Sequence, residues 1–254
     1  LVQREMVVFS HTYKDVLLNA FVMAVFMTLS LGYLLPNMGL ASGDRLPLFV
    51  GQVVALNFIV GYNAGMMVSF DFESTHLVPY HASLPAPMAV PLLAYVTGAV
   101  LQSLCLSVPL LLFGAAGMGA LTELHVFSIA GIGFIFLTAV FFSLLFLLAG
   151  FVCSFKTYIS DIWPRFLSPL FMFGGILYCY KKLEPYAPQL AMILTLNPVV
   201  YCTEGLRGAL LYSGDYIPLG RCVLVLSGVS IGLWVLLLYA VKRRLDLVLP
   251  RKRI

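Results

Sequence analysis

Charged residues are scarce in this sequence. Only 10% of its 254 residues are Asp, Glu, Lys or Arg, and 61% are hydrophobic. A typical soluble domain has about 25% charged and about 45–50% apolar residues. The mean hydropathy is +0.99. Because a water-soluble fold of this size has no interior large enough for so much apolar surface, the chain is predicted to be an integral membrane protein.

Sequence marks of several enzyme and metal sites are also missing. There is no GxxxxGK[ST] phosphate loop and no HExxH zinc motif. The five cysteines form no CxxC pair, so no metal site is predicted. Cys179 and Cys202 flank one predicted loop, where a disulfide is geometrically possible, although buried thiols are the commoner outcome. The chain is therefore predicted to be no enzyme and to hold no cofactor itself.

Six apolar stretches are predicted to be transmembrane helices, each of which needs about 20 residues. They are Val16–Leu35, Leu46–Phe70, Met88–Phe113, His125–Val152, Phe166–Tyr180 and Ile217–Ala240. A polar link at Lys156–Arg165 precedes the fifth. The second stretch carries Gln52, Asn57 and Asn63, which are expected to face the bundle interior because polar groups are costly in lipid. The prediction is an all-α membrane protein with one transmembrane domain over residues 1–254.

Four further segments interrupt or flank these stretches. Residues 1–14 mix apolar and charged side chains as a surface amphipathic helix does. Residues 71–87 form a link longer than the usual 2–8 residues between packed helices, which suggests a docking element. Residues 181–215 hold two half-length apolar pieces, Tyr186–Leu196 and Val199–Leu211, divided by Asn197-Pro198 and predicted to re-enter one leaflet. Residues 241–254 are a basic tail.

The distribution of Lys and Arg predicts the orientation in the membrane. Six spans place both termini on one side. That side would hold ten basic residues and the other side five. The ten are Arg4, Lys14, Lys156, Arg165, Lys242, Arg243, Arg244, Arg251, Lys252 and Arg253, and the five are Arg45, Lys181, Lys182, Arg207 and Arg221. Both termini are therefore predicted to be cytoplasmic.

Four stretches carry motifs of a known family. They are LNPVVYCTEGLR at 196–207, FGGILY at 173–178, ESTHLVPYHASLPAP at 73–87 and the pair Arg4-Glu5 before the first span. In order and spacing they resemble the "lNPl-y---e--R", "sGv-y", coupling-helix and "RE" motifs of type-2 ABC exporter permeases. The resemblance implies six spans, an amphipathic N-terminal interface helix, a cytoplasmic coupling helix and two short re-entrant helices before the last span.

The resemblance also implies partners and site residues. Such permeases work as dimers with two copies of a separate cytoplasmic ATP-binding subunit, which binds ATP and Mg, in the cytoplasmic (inner) membrane. The residues expected at the ATPase-coupling interface are Arg4, Glu5, Glu73, Thr75, His76, Leu77 and Tyr80. Those expected at an outer gate are Tyr178, Asn197, Tyr201, Glu204 and Arg207, where Glu204 and Arg207 are spaced to pair on one helix face. Membrane lipid is an expected partner and nucleic acid is not.

The cargo is less specified by the sequence. The family exports glycans, lipid-linked glycans, drugs and peptides, and an amphipathic cargo (a glycan, a glycolipid or a hydrophobic drug) is the expectation. Aromatic residues such as Phe141, Phe142, Phe146, Tyr158 and Tyr178 are consistent with cargo contacts and with core packing, and core packing is the commoner role of such residues. A secondary transporter and a non-transporting scaffold remain alternatives. The lack of a mid-span carboxylate or an inverted repeat disfavours the first.

Overall fold

The computed structural model of the chain describes residues 18–39, 45–74, 89–211 and 216–248, and every statement on structure refers to these ranges. They contain helices and no strand, which confirms the predicted all-α class. In chain order the helices are α1 (18–37, with π-helical turns at Thr28–Leu34), α2 (Arg45–Glu73), α3 (Ala89–Gly117), α4 (Ile129–Val152), α5 (155–172, with π-helical turns at Tyr158–Leu167), α6 (Tyr180–Leu183), α7 (Pro188–Leu194), α8 (Pro198–Leu211) and α9 (Leu219–Val248).

Within the described ranges, four helices are long and apolar enough to cross a membrane. They are Arg45–Glu73, Ala89–Gly117, Ile129–Val152 and Leu219–Arg244, and a shorter apolar helix covers Leu18–Leu31. The prediction of a membrane-embedded protein is confirmed. Six spans stay a prediction, because α1 meets undescribed residues at its start and α5 is short and carries Lys156, Asp161 and Arg165.

Glycines let α2 and α4 pack at close range. A Cβ atom on Gly65 would collide with the carbonyl oxygen of Phe146, and one on Gly150 would collide with the carbonyl oxygen of Gly65. Gly61 lies one helical turn before Gly65, and a Cβ there would come within 2.7 Å of the Phe146 ring. Small residues four apart are typical of membrane helices whose backbones approach closely. The central pair of the bundle is therefore fixed by backbone contact.

Aromatic side chains fill the space between α2, α4 and α5. The ring of Phe58 meets Phe142 at 5.5 Å, Phe146 at 4.8 Å and Phe171 at 5.1 Å between centroids, all near edge-to-face. This geometry is the favoured one for aromatic pairs. Phe141, Phe142, Phe146 and Tyr158 are fully buried, so the core-packing interpretation of these four is the one that the single chain supports.

The polar side chains of α2 have different surroundings. Asn57 is fully buried, donates from Nδ2 to the carbonyl of Val53 at 3.0 Å and accepts from Ser107 Oγ of α3 at 3.3 Å. Gln52 is half-buried. Asn63 is exposed close to the middle of α2, so the expectation that it faces the interior of its own bundle is wrong.

The polar link predicted at Lys156–Arg165 is helical instead. Ser154 caps this helix by accepting from Thr157 N at 3.3 Å, and Asp161 and Arg165 pair along it at 3.4 Å. The fifth span predicted at Phe166–Tyr180 is also misplaced, because α5 ends at Met172. Within the turn that follows, Gly175 adopts a left-handed φ of +72°, which glycine takes readily.

Three other predicted boundaries move outward. Helix α2 runs through Glu73, so residues 71–73 of the predicted 71–87 loop are helical. Helix α3 extends through Gly117, and α9 extends through Val248, which makes 241–248 of the predicted basic tail helical. Charged or glycine-rich residues at these ends mark the edge of the apolar pattern and do not end the backbone helix.

Candidate functional site

Helix α8 begins at the predicted break at Asn197-Pro198. Asn197 accepts from Val199 N on Oδ1 at 3.0 Å, as helix-capping asparagines do. Its Nδ2 donates to the carbonyl of Leu170 in α5 at 2.8 Å. Pro198 suits the first helical position, where no N–H is needed. The predicted break between two short helices falls between α7 and α8, and their re-entry into one leaflet stays a prediction. The Asn197 side chain also joins the start of α8 to the end of α5.

Nearly two turns further along α8, Glu204 and Arg207 form an ion pair. Arg207 Nη1 lies 2.9 Å from Glu204 Oε1, and both side chains are fully buried. Glu204 Oε1 also accepts from the backbone N–H of Tyr180 at 3.0 Å. A buried charge is tolerated only when it is paired and hydrogen-bonded. The pairing of Glu204 with Arg207 that their three-residue spacing predicts is therefore confirmed.

Arg207 also binds three backbone carbonyls from elsewhere in the chain. Nε donates to Pro47 at 2.8 Å, Nη1 to Tyr178 at 2.9 Å and Nη2 to Ile176 at 3.3 Å. Pro47 lies in the first turn of α2, and the other two lie in the non-helical turn 173–179 that follows α5. The guanidinium therefore joins the start of α2, this turn and α8 through one side chain.

The turn 173–179 depends on α8 for its hydrogen bonds. Thr203 Oγ1 donates to the carbonyl of Gly174 at 2.8 Å, beside the carbonyls that Arg207 binds. Non-helical backbone inside a membrane protein needs such partners, since lipid offers none. Gly51 of α2 closes the arrangement, because a Cβ there would collide with the carbonyl oxygen of Ile176 and lie 3.0 Å from Arg207 Nη2.

A family comparison bears on this arrangement. The model of the family described as ABC-2 type transporter matches residues 1–211, which is most of the chain and includes α8 with Glu204 and Arg207. The chain belongs to the ABC-2 type transporter family. No curated protein matches it at a significant level.

The five residues predicted for the outer gate of this ABC-2 transporter chain are all described. The structure brings Tyr178, Glu204 and Arg207 together and places Asn197 at the start of the same helix. Tyr201 is half-buried against the core, and it is not among the residues to which Arg207 donates hydrogen bonds. Glu204 Oε2 and the Tyr178 hydroxyl are buried polar atoms without a hydrogen-bond partner in the described structure. A gating role for these residues stays a prediction.

Of the seven residues predicted for the ATPase-coupling interface, only Glu73 is described. It is exposed at the last position of α2, and its Oε1 accepts from the backbone N–H of Phe155 at 2.9 Å. Arg4, Glu5, Thr75, His76, Leu77 and Tyr80 lie outside the described residues. One oxygen of Glu73 is therefore already hydrogen-bonded within the chain. That any of the seven residues contacts an ATPase stays a prediction.

Other kinds of site find little support in the described residues. No three His, Cys, Asp or Glu side chains come together there as metal ligands, and no disulfide joins Cys179 to Cys202. Residues 228–232 read GVSIG, the GxSxG pattern of a hydrolase nucleophile. They lie inside the continuous helix α9, whereas a nucleophile elbow requires a strand-to-helix turn.

The sequence does not predict several residues that support Arg207, nor the residue that binds the end of α4. Pro47, Gly51 and Thr203 support Arg207 but belong to no motif, and Gly51 differs from other glycines only by its neighbours in space. Arg244 was assigned to a basic tail, yet it is half-buried and binds the end of α4. The one signal that could have found Arg244 is the helical spacing that continues past Ala240.

Proposed function

We propose that this chain is the membrane-spanning permease subunit of an ATP-driven ABC exporter. The observation that carries the proposal is the family match over residues 1–211. In this proposal a separate ATP-binding subunit, in two copies, binds ATP and Mg and hydrolyses ATP, which agrees with the lack of a phosphate loop in residues 1–254. The protein resides in the cytoplasmic membrane with both termini cytoplasmic, where the excess of Lys and Arg favours them.

A second copy of the permease is part of the proposal. Asn63 is exposed close to the middle of α2, and an amide facing hydrocarbon is unfavourable. Ile59 and Met67 flank it at one-turn spacing and are 39% and 63% exposed. A homodimer would cover this face of α2 or place it along a water-accessible path between the two copies, and either arrangement removes Asn63 from lipid.

Two regions of the chain divide the transport task in this proposal. Residues 71–87 and the segment around Arg4 and Glu5 receive the movement of the ATPase pair. The cluster around Glu204 and Arg207 forms part of the outer gate, because one guanidinium there joins three chain segments that have to separate or move together. ATP favours one of two bundle arrangements only through contacts with the ATPase, so the coupling segment has to pack against that partner.

The cargo is proposed to be amphipathic: a glycan, a glycolipid or a hydrophobic drug. The physical support is the mixed character of the exposed α2 face, where the Asn63 amide lies between apolar side chains. The four buried aromatic residues Phe141, Phe142, Phe146 and Tyr158 take no part in this argument, because the core encloses them.

The test is to purify the tagged chain from its native membrane in mild detergent and to identify bound proteins by mass spectrometry. A soluble protein with a phosphate loop, at about one copy per permease, is the expected result. The control is an unrelated multi-spanning protein of the same membrane with the same tag, which should recover no such ATPase. Recovery of the chain alone, where other ABC complexes survive, would instead favour a scaffold or a secondary transporter.

A further inference from the structure

A second cluster lies at the opposite end of α2 from Arg207. We name it the basal junction and define it as Phe72, Glu73, Arg244 and residues 150–155. From Pro47 to Phe72 a straight helix rises about 38 Å, so the two clusters lie at the two ends of α2. The basal junction immediately precedes residues 75–87, the greater part of the predicted coupling segment.

Arg244 binds the end of α4. Its Nη1 donates to the carbonyls of Gly150 at 3.0 Å, Phe151 at 2.7 Å and Cys153 at 3.1 Å. The last carbonyls of a helix lack partners within the helix, and a cation at this end is favoured by the helix dipole. One side chain of α9 therefore completes the C-terminus of α4.

The same guanidinium packs on α2. Its Cζ lies 4.1 Å from the centroid of the Phe72 ring, within the range of a cation–π contact. Phe72 also meets Phe151 edge-to-face at 5.5 Å. Arg244 is thus held between the last turn of α2 and the last turn of α4.

Two further bonds join α2 to the link between α4 and α5. Ser69 Oγ donates to the carbonyl of Cys153 at 3.1 Å, and Glu73 Oε1 accepts from Phe155 N at 2.9 Å. The last turn of α2 is therefore attached to α4, α5 and α9 together, through Phe72 and Glu73.

We infer that Arg244 is a positioning residue that transmits movement of the coupling segment from the end of α2 directly to α4 and α9. The inference rests on the proposed function, since it needs an ATPase that moves residues 75–87. Displacing Glu73 by movement of that segment would displace Phe72 and the guanidinium stacked on it. Arg243, the preceding residue on α9, is exposed and offers a matched control of equal charge.

The experiment compares Arg244→Gln and Arg243→Gln in the complex with the co-purified ATPase. The complexes are placed in phosphatidylethanolamine–phosphatidylglycerol vesicles and supplied with Mg-ATP. Arg244→Gln should lower the kcat of ATP hydrolysis per assembled complex by about two- to thirtyfold, as for residues that carry coupling between sites. The KM for ATP and the ATPase stoichiometry should stay unchanged, because ATP binds to the partner.

A purely structural role would reduce the yield of assembled complex and leave its kcat unchanged, and this result would overturn the inference. Equal kcat values for Arg244→Gln and Arg243→Gln would overturn it as well. If Arg244→Gln does not assemble, two variants of Phe72 replace it in the comparison. Phe72→Leu should lower kcat, whereas Phe72→Tyr, which keeps a ring beneath the guanidinium, should keep the wild-type kcat. Equal kcat values for these two variants would also refute the inference. A wild-type chain that binds no ATPase would refute the proposed function itself.

Discussion

Replacing Arg207 tests whether its buried ion pair and three carbonyl bonds hold α8 in place. The Arg207→Met variant keeps a long side chain but loses every one of these bonds. It leaves the Glu204 carboxylate buried with the Tyr180 N–H as its hydrogen-bond donor. Breaking a buried ion pair by removing one partner costs about 3–5 kcal/mol. A simple sum of four charge-assisted hydrogen bonds, about 1.5–3 kcal/mol each, exceeds this range. The expected loss of stability is smaller than this sum because water that enters the gap offsets part of it.

The measurement is the free energy of unfolding in mixed micelles, followed by tryptophan fluorescence. The chain has two tryptophans, and Trp163 contacts Phe58 at 6.2 Å between ring centroids, so its signal reports on the core. Arg221→Met is the matched control. Arg221 is exposed in the first turn of α9, where a substitution should change stability by about 0.5 kcal/mol or less.

A second substitution separates the ion pair from the carbonyl bonds. In the Arg207→Met background, Glu204→Gln should recover part of the lost stability because it removes a buried charge that has lost its counter-ion. In the wild-type background the same change should destabilise the protein. A cost below about 1 kcal/mol for Arg207→Met, or destabilisation by Glu204→Gln in both backgrounds, would refute the reasoning.

Two further predictions concern the surroundings of Arg207. Gly51→Ala should destabilise the protein by about 1–3 kcal/mol, the usual cost of overpacking, because the added Cβ would collide with the Ile176 carbonyl. The control in the same unfolding assay is Gly220→Ala, since a Cβ at Gly220 meets nothing within 4 Å. Asn197→Ala should cost about 0.5–2 kcal/mol through loss of the α8 cap. Limited proteolysis between α7 and α8 should accelerate in parallel, and unchanged cleavage would argue against the capping role.

The sequence predicts features of this fold that depend on local spacing. The hydropathy pattern locates α2, α3, α4 and the apolar part of α9, because each is a long apolar run. The Asn197-Pro198 dipeptide predicts the start of α8, because proline disfavours helix at the residue before it. The three-residue spacing predicts the pairing of Glu204 with Arg207.

Features that depend on contacts between distant segments could not be predicted in this way. Arg207 and the Pro47 carbonyl are 160 residues apart, and no periodicity identifies which distant carbonyl a buried guanidinium will bind. Helix α5 was mistaken in part for a polar link, because Asp161 and Arg165 reduce the local hydropathy although they pair with each other along the helix. Arg244 was assigned to the tail for a similar reason: a basic residue at the end of a span usually lies at the membrane surface.

Arg207 and Arg244 solve the same physical problem at opposite ends of α2. Each lies beside a place where the backbone stops being helical, and each binds three backbone carbonyl groups. An unsatisfied buried carbonyl costs about 1–3 kcal/mol. The planar guanidinium carries five N–H donors in a fixed fork, whereas lysine offers one compact ammonium. Arg207 uses all three nitrogen atoms of this fork for separate carbonyls, so that position requires shape as well as charge. Lysine would keep the charge beside Glu204 while leaving at least one of the three carbonyls unbound.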